Sequence, residues 1–321
     1  MESSLAIAVV GPTASGKSAL AVRLARQFGG EIISADSRQV YRGLDIGSGK
    51  ITKREMRGIP HHLLDVANPK SAFSAAQYQK LADQALKEIG KRGKVPIICG
   101  GTGFYIDVLR GKVTLPPVPP NRALRAKLEK LSTEKLGEKL KLLDPKRFKS
   151  IDARNRPRLI RAIEIATALG HVPPLELNTK GSPWGSKDYP LITSKDSPCW
   201  LNLGIKLEPE ELREKINTRL RYRLQHGLIA EVKKLHANGL SWKRLDALGL
   251  EYRYIAEFLQ KREKFLLLQE QLATAIWHYA KRQMTWFKRD KTIKWVKDYQ
   301  EAEKQTVAFL KVRPFSVKVE P

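Results

Sequence analysis

The sequence predicts an α/β protein: a parallel sheet flanked by helices, carrying a phosphate-binding loop, with an all-helical subdomain inserted into that core. Three observations predict it. Gly11-Pro12-Thr13-Ala14-Ser15-Gly16-Lys17-Ser18 matches the eight-position phosphate-loop pattern between an apolar run and a helical pattern. Short apolar runs then alternate with helix-spaced stretches through the first third of the chain. Finally, the tract Leu115-Pro116-Pro117-Val118-Pro119-Pro120 ends that alternation, and strand signals return only near Trp200.

Residues 5–10 read as a central parallel strand, and 17–28 as the helix that crosses back over the sheet and ends at Gly29-Gly30. The loop between them turns backbone N–H groups inward, where they and the helix N-terminus hold two linked phosphates. Lys17 adds a point charge and Ser18 a hydroxyl suited to Mg²⁺. This strand, loop and helix define a P-loop NTPase-like core. Glu31-Ile32-Ile33-Ser34 reads as a second strand that delivers Asp36 to the carboxyl end of the sheet, where ligands sit in open α/β folds. From the stretch alone, Asp36 is either a base or metal-binding carboxylate, or an aspartate closing a turn.

Asp45-Ile46-Gly47-Ser48-Gly49-Lys50 reads as a flexible glycine-rich loop, and His61-His62 as structural, because neighbours in a strand point to opposite faces and do not share one ion. Ser74 caps a helix whose apolar positions are Tyr78, Leu81, Ala82, Ala85 and Ile89, with Gly90 and Gly93 ending it. Val95 to Cys99 is the next buried strand, followed by a second glycine turn, Gly100-Gly101-Thr102-Gly103, that feeds a helix.

Residues 119–198 form the inserted helical segment, leaving 1–118 and 199–321 as the core. Within the insert, Leu159, Ala162, Ile163, Ala166 and Leu169 share one helical face. Arg158 and Arg161 lie opposite, with Arg154 upstream, spaced for a phosphodiester backbone. Residues 178–199 read as a return loop. Trp200 to Leu207 is a strand rejoining the sheet, Pro209 opens a helix to about His226 with Gly227 as its C-cap, and a last long helix covers 264–288. Phe265, Leu268, Leu272, Ala275, Ile276 and Tyr279 are its expected inward positions. Its end, Lys281 to Arg289, interleaves cations with Trp286 and Phe287, which read equally as core or as nucleic-acid contacts.

The 59 Lys plus Arg outnumber the 33 Asp plus Glu, a net charge of +26, the footprint of a polyanion binder. Cys99 and Cys199 are too far apart in sequence, and in surroundings too apolar, for a disulfide framework or a metal pair, and both are expected to be buried. No run is long enough to cross a bilayer and the first residues do not form a signal peptide, so a cytoplasmic protein with no membrane partner is expected.

Taken together, GPTASGKS at 11–18, SADSRQVYRGLDIGSGK at 34–50, GGTGFYI at 100–106, RLIRAIEI at 158–165, the pattern from Arg219 to Leu228 and AKRQMTWFKR at 280–289 resemble the tRNA dimethylallyltransferase family, bacterial type. The resemblance implies transfer of a dimethylallyl group from dimethylallyl diphosphate to N6 of adenosine 37 in the tRNA anticodon loop, with Mg²⁺, by a monomer. It implies that Gly11, Pro12, Thr13, Ala14, Ser15, Gly16, Lys17 and Ser18 bind the diphosphate, Ser18 also holding the metal. Asp36 is then the general base, while Thr13, Arg219, Lys17 and the loop N–H groups stabilise the departing diphosphate. Asp36, Ser37, Arg38, Gln39, Thr102, Arg125, Arg158, Arg161, Lys281, Arg282 and Gln283 match positions that contact tRNA, and the insert becomes a tRNA-binding subdomain. Pro157 and the segment Gly249-Leu250-Glu251-Tyr252 depart from the commoner family pattern, and the zinc-finger cysteines and histidines of eukaryotic relatives are absent from the C-terminal region.

Overall fold

The computed structural model describes residues 5–173, 199–261 and 264–311. The chain divides into two compact units, Met1–Gly111 with Ser186–Pro321, and Lys112–Gly185. Most of the expected return loop, 178–198, lies outside the described residues.

In the larger unit, β1 (Leu5–Val10), α1 (Lys17–Gln27), β2 (Gly30–Ser34), α2 (Lys53–Met56), β3 (His61–His62), α3 (Ala75–Lys91), β4 (Val95–Gly100) and α4 (Gly103–Leu109) follow in order. The smaller unit holds α5 (Arg122–Leu128), α6 (Thr133–Leu143), α7 (Pro145–Ser150) and α8 (Arg156–Leu169). The larger unit resumes with β5 (Cys199–Ile205), α9 (Pro209–Gln225), α10 (Leu228–Ala237), α11 (Trp242–Leu248), α12 (Leu250–Lys261), α13 (Phe265–Lys288), β6 (Lys294–Val296) and α14 (Tyr299–Lys311). The six strands form one parallel sheet in the order β3-β2-β4-β1-β5-β6.

Alternation along the strands builds two cores. Ala6, Ala8, Val10, Ile33 and Ile98 face one side, where Tyr78, Ala82, Ile89, Ile106 and Phe287 cover them. Ile7, Val9, Ile32, Ile97, Leu201 and Leu203 face the other, against Leu20, Leu24, Ala25 and Ala302. Both faces being covered, the strands are continuously apolar, as a parallel sheet requires. A third cluster, built by α9 to α13 from Leu212, Ile216, Leu220, Val232, Leu245, Tyr252, Leu268 and Leu272, seats Val40, Tyr41 and Leu44.

Each of the described helices of the smaller unit starts at a side-chain cap. Asn121, Ser132, Asp144 and Asn155 accept the N–H groups of Leu124, Lys135, Arg147 and Arg158. Leu128, Leu136, Leu140, Leu159 and Ile163 fill its core.

Several expectations change. Phe265 is exposed rather than inward, since α13 begins beyond the packed core, and Cys199 is only half-buried. Phe287 is core, and half-buried Trp286 donates its indole N–H to Asp107 Oδ2 at 2.8 Å, so both aromatics pack. His62 pairs with Glu31 at 2.7 Å, which also takes both ends of the Arg92 fork, in line with a structural role.

Candidate active site

The phosphate loop links the end of β1 to the start of α1, so the first N–H groups of α1, which have no partner inside the helix, open towards the carboxyl edge of the sheet. Ala14 takes φ 64°, a conformation rare for a residue with a Cβ, and such strain clusters at ligand sites. Ser15 Oγ is buried with no hydrogen-bond partner, which leaves a hydroxyl inside the loop for a ligand oxygen. Lys17 Nζ donates to Pro12 O at 3.2 Å. Burial holds the Lys17 ammonium below its usual range and Arg219 pushes it the same way, while Cys99 and Asp36 oppose them. Ser18 sets its hydroxyl against the Cys99 thiol, which burial pushes up to about 11.

Gln283, on α13, holds the loop from the other side. It is 6% exposed, accepts the Thr13 N–H at 2.8 Å and donates to Gly101 O at 2.8 Å. A Cβ on Gly101 would stand 2.2 Å from Gln283 Nε2, so only glycine admits this bridge. The resemblance placed Gln283 against tRNA. Its amide is instead spent inside the protein, tying the phosphate loop to the turn after β4.

Asp36 follows β2. Its Oδ1 accepts the N–H groups of Arg38 at 2.8 Å and Gln39 at 3.3 Å, closing a turn, and Oδ2 has no partner among the described residues. The two readings of Asp36 are therefore compatible, one oxygen for the turn and one for a ligand. Its charge acts on Lys17, on Arg219 and on the Tyr279 hydroxyl, which burial and Asp36 together raise. Thr102 Oγ1 accepts the Ser37 N–H at 3.0 Å, joining the ends of β2 and β4. Gln39 accepts from Ser34 Oγ and donates to Gly49 O, both at 3.2 Å.

Opposite the loop, α9 presents Arg219 and Arg223, one turn apart on the same face. Both guanidiniums press on Gly49. A Cβ there would meet Arg219 Nη2 at 2.5 Å and would overlap Arg223 Nη2, so this position, at φ 60°, admits glycine alone. Desolvation by the atoms packed around it, and then Arg223 alongside, draw Arg219 down to about 10, although part of the residue stays exposed. Arg223 pairs with Glu251 at 3.2 Å, and burial pushes that carboxyl above its usual range despite the arginine. Arg223 is legible in the sequence only as one of several cations on this helix, and Glu251 not at all as a site residue. Helical spacing from Arg219 pointed to the first; no local pattern pointed to the second.

The Asp45–Lys50 turn, expected to be a flexible loop, is pinned. Lys50 Nζ pairs with Asp45 at 2.6 Å and Asp65 at 2.5 Å and is nearly buried, so it is unavailable to phosphate. Lys281 and Arg282 are exposed near the end of α13, over the rings of Trp277 and Tyr279 at 5.7 and 5.9 Å.

In the helical unit, Arg125 forks onto Glu164 at 2.7 and 2.6 Å, and Arg161 reaches the same carboxylate at 3.3 Å and Val118 O at 2.7 Å. Glu164 is 2% exposed, so these two arginines neutralise a buried acid; burial pushes its carboxyl up, but Arg125, the Asn121 N–H and Arg161 outweigh it and hold it below its usual range. Arg154 and Arg158 are exposed. Of the three tRNA arginines expected in this segment, Arg158 alone keeps a solvent-facing side chain without an ion pair among the described residues.

Among the described residues no cluster of three or more His, Cys, Asp or Glu could hold a metal, and no helix is long and apolar enough to cross a membrane.

A family model described as IPP transferase matches residues 39–290. The chain is 41% identical over 309 residues to tRNA dimethylallyltransferase 2 of Citrifermentans bemidjiense, covering 95% of this chain and 94% of that one. It is 42% identical to tRNA dimethylallyltransferase 1 of Syntrophus aciditrophicus, over 88% of this chain and 89% of its relative. Among solved structures it is similar to the tRNA isopentenylpyrophosphate transferase of Bacillus halodurans (TM-score 0.67, 32% identity, 96% of each chain). It is also similar to a eukaryotic dimethylallyltransferase captured acting on tRNA (TM-score 0.72, 25% identity, 99% of this chain and 82% of that one).

Proposed function

Because this chain belongs to the IPP transferase family, we propose that it moves a dimethylallyl group from dimethylallyl diphosphate to N6 of adenosine 37 in the tRNA anticodon loop, releasing diphosphate. The observation that carries this reading is the free Asp36 carboxylate oxygen beside a cationic phosphate cradle, its charge acting on both Lys17 and Arg219.

In the reaction, the N6 lone pair forms a bond to the allylic C1 as the C1–O bond breaks, and the bonding electrons leave with the diphosphate. Lys17, Arg219, the Ser15 hydroxyl and the N–H groups opening α1 stabilise the charge that develops there. Asp36 Oδ2 accepts the N6 proton. An ordinary carboxylate is a weak base for an aryl amine, so proton transfer accompanies or follows bond formation.

Mg²⁺ fits through Ser18 alone. This ion keeps several waters and binds substrate phosphates with few protein ligands, and the Ser18 hydroxyl at the start of α1 would be one of them. When bound it neutralises charge on the leaving diphosphate. The net charge of +26 and the exposed Arg158, Lys281 and Arg282 support a polyanionic acceptor. Extruding the target base from a single-stranded loop costs a few kcal/mol at most. The expected state is a cytoplasmic monomer.

The test offers labelled dimethylallyl diphosphate or labelled ATP, with Mg²⁺, to unmodified tRNA or to AMP. Label entering tRNA from the allylic donor alone is expected. Transfer from ATP, or prenylation of AMP with no use of tRNA, refutes the reading.

A further inference from the structure

We propose that Glu231, with Tyr252, is a positioning residue for the donor site: it shapes the Asp45–Lys50 turn so that the turn seats the Arg219 and Arg223 guanidiniums at the phosphate cradle. The inference rests on the reading that a diphosphate occupies that cradle.

Glu231 lies in the first turn of α10, which packs with α9 and α12. Its Oε2 accepts the N–H groups of Asp45 at 3.0 Å and Ile46 at 2.6 Å, and its Oε1 accepts the Gly47 N–H at 3.0 Å and the Tyr252 hydroxyl at 2.9 Å. That uses the roughly four acceptor positions of a carboxylate. The Tyr252 oxygen in turn accepts the Ser48 N–H at 3.1 Å. Consecutive N–H groups converging on one point form an anion nest, here filled by the protein's own carboxylate. The ring of Tyr252 closes the turn, since a Cβ on Gly47 would fall 2.7 Å from it.

The opposite side of this turn meets the arginines. Gly47 O accepts from Arg223 Nη1 at 3.4 Å, Gly49 lies under both guanidiniums, and Gln39 holds Gly49 O. Two like charges do not converge unaided. Glu251 holds Arg223 from one side and the turn supplies the other wall. Glu231 thus acts on the donor through the turn and touches no reacting atom.

The test uses the full chain with Glu231→Gln, Tyr252→Phe and Gly49→Ala. Each variant is titrated with inorganic diphosphate in Mg²⁺ and with tRNA, and its melting temperature is recorded. Glu231→Gln replaces an acceptor by an NH₂ group facing backbone N–H donors, and should weaken diphosphate binding about tenfold, the equivalent of one charge-assisted hydrogen bond. Gly49→Ala should do at least the same, and Tyr252→Phe about tenfold, since it loses the bond to the Glu231 carboxylate and the one from the Ser48 N–H. Affinity for tRNA should stay within about twofold throughout, because the turn acts on the donor. If Glu231→Gln does not fold, the other two variants carry the comparison. Diphosphate affinity unchanged in the folded variants, while Lys17→Ala abolishes it, overturns the proposal and spares the cradle. Parallel loss of diphosphate binding, tRNA binding and thermal stability also overturns it, since that is the signature of a purely structural residue. Wild-type protein that binds no diphosphate overturns the cradle reading itself, and this inference with it.

Discussion

Replacing Gln283 by leucine separates a strut inside the protein from a contact to RNA. Leucine nearly matches glutamine in size but pairs with neither the Thr13 N–H nor Gly101 O, each now held at 2.8 Å. Gly101 is buried, so its carbonyl is left without a donor at the full desolvation cost, about 1–3 kcal/mol. Thr13 is half-buried and its N–H reaches water, which adds under about 1 kcal/mol. A net loss of about 2 kcal/mol corresponds to a fall in melting temperature of roughly 4–8 °C for a unit of this size. Because the released loop is the proposed donor cradle, KM for dimethylallyl diphosphate should rise while KM for tRNA stays near wild type. Calorimetry and steady-state kinetics with each substrate varied in turn provide the assay. A melting temperature within about 1 °C of wild type, with KM raised for tRNA alone, would refute the reasoning and return Gln283 to the RNA surface.

Asp36→Ala should lower turnover by about two orders of magnitude or more while tRNA affinity is retained, in single-turnover and filter-binding assays. Arg158→Ala should weaken tRNA binding and flatten its dependence on salt, with no effect on the donor. Arg125→Ala should instead unfold the helical unit more readily, by about 3 kcal/mol, because it strips the bidentate partner from buried Glu164; a denaturant titration reads it. Diphosphate binding should weaken as pH rises towards 10, since Lys17 lies below its usual range and Arg219 is drawn to about 10. The bound anion raises both values, so binding takes up protons, and calorimetry near pH 9 in buffers of different ionisation heat should show it.

What the sequence revealed and what it hid divide by distance along the chain. The strands at 5–10 and 95–100, the Ser74 cap and the helix beginning at Lys17 all rest on local signals, periodicity or a capping residue, and were legible. Three-residue β6 carries too little pattern to detect, and α10 to α12 and α14 are not among the elements the sequence predicts. The bracket of Glu231 and Tyr252 depends on contacts 184 to 204 residues apart, which no spacing encodes. Glu164 sits inside the RLIRAIEI stretch that carries the resemblance. Its burial was not legible, because it follows from Arg125 reaching it across 39 residues from another helix. Gln283 was legible as a motif position, but its bonds to Thr13 and Gly101 were not, since a family pattern marks a position without saying which way its amide points.

Nucleoside analysis of tRNA after incubation with dimethylallyl diphosphate and Mg²⁺ tests the central claim most directly. The account predicts N6-dimethylallyl adenosine at position 37 from the wild-type protein and almost none from Asp36→Ala. Unmodified adenosine there, or an alkyl group on any atom other than N6, would contradict it.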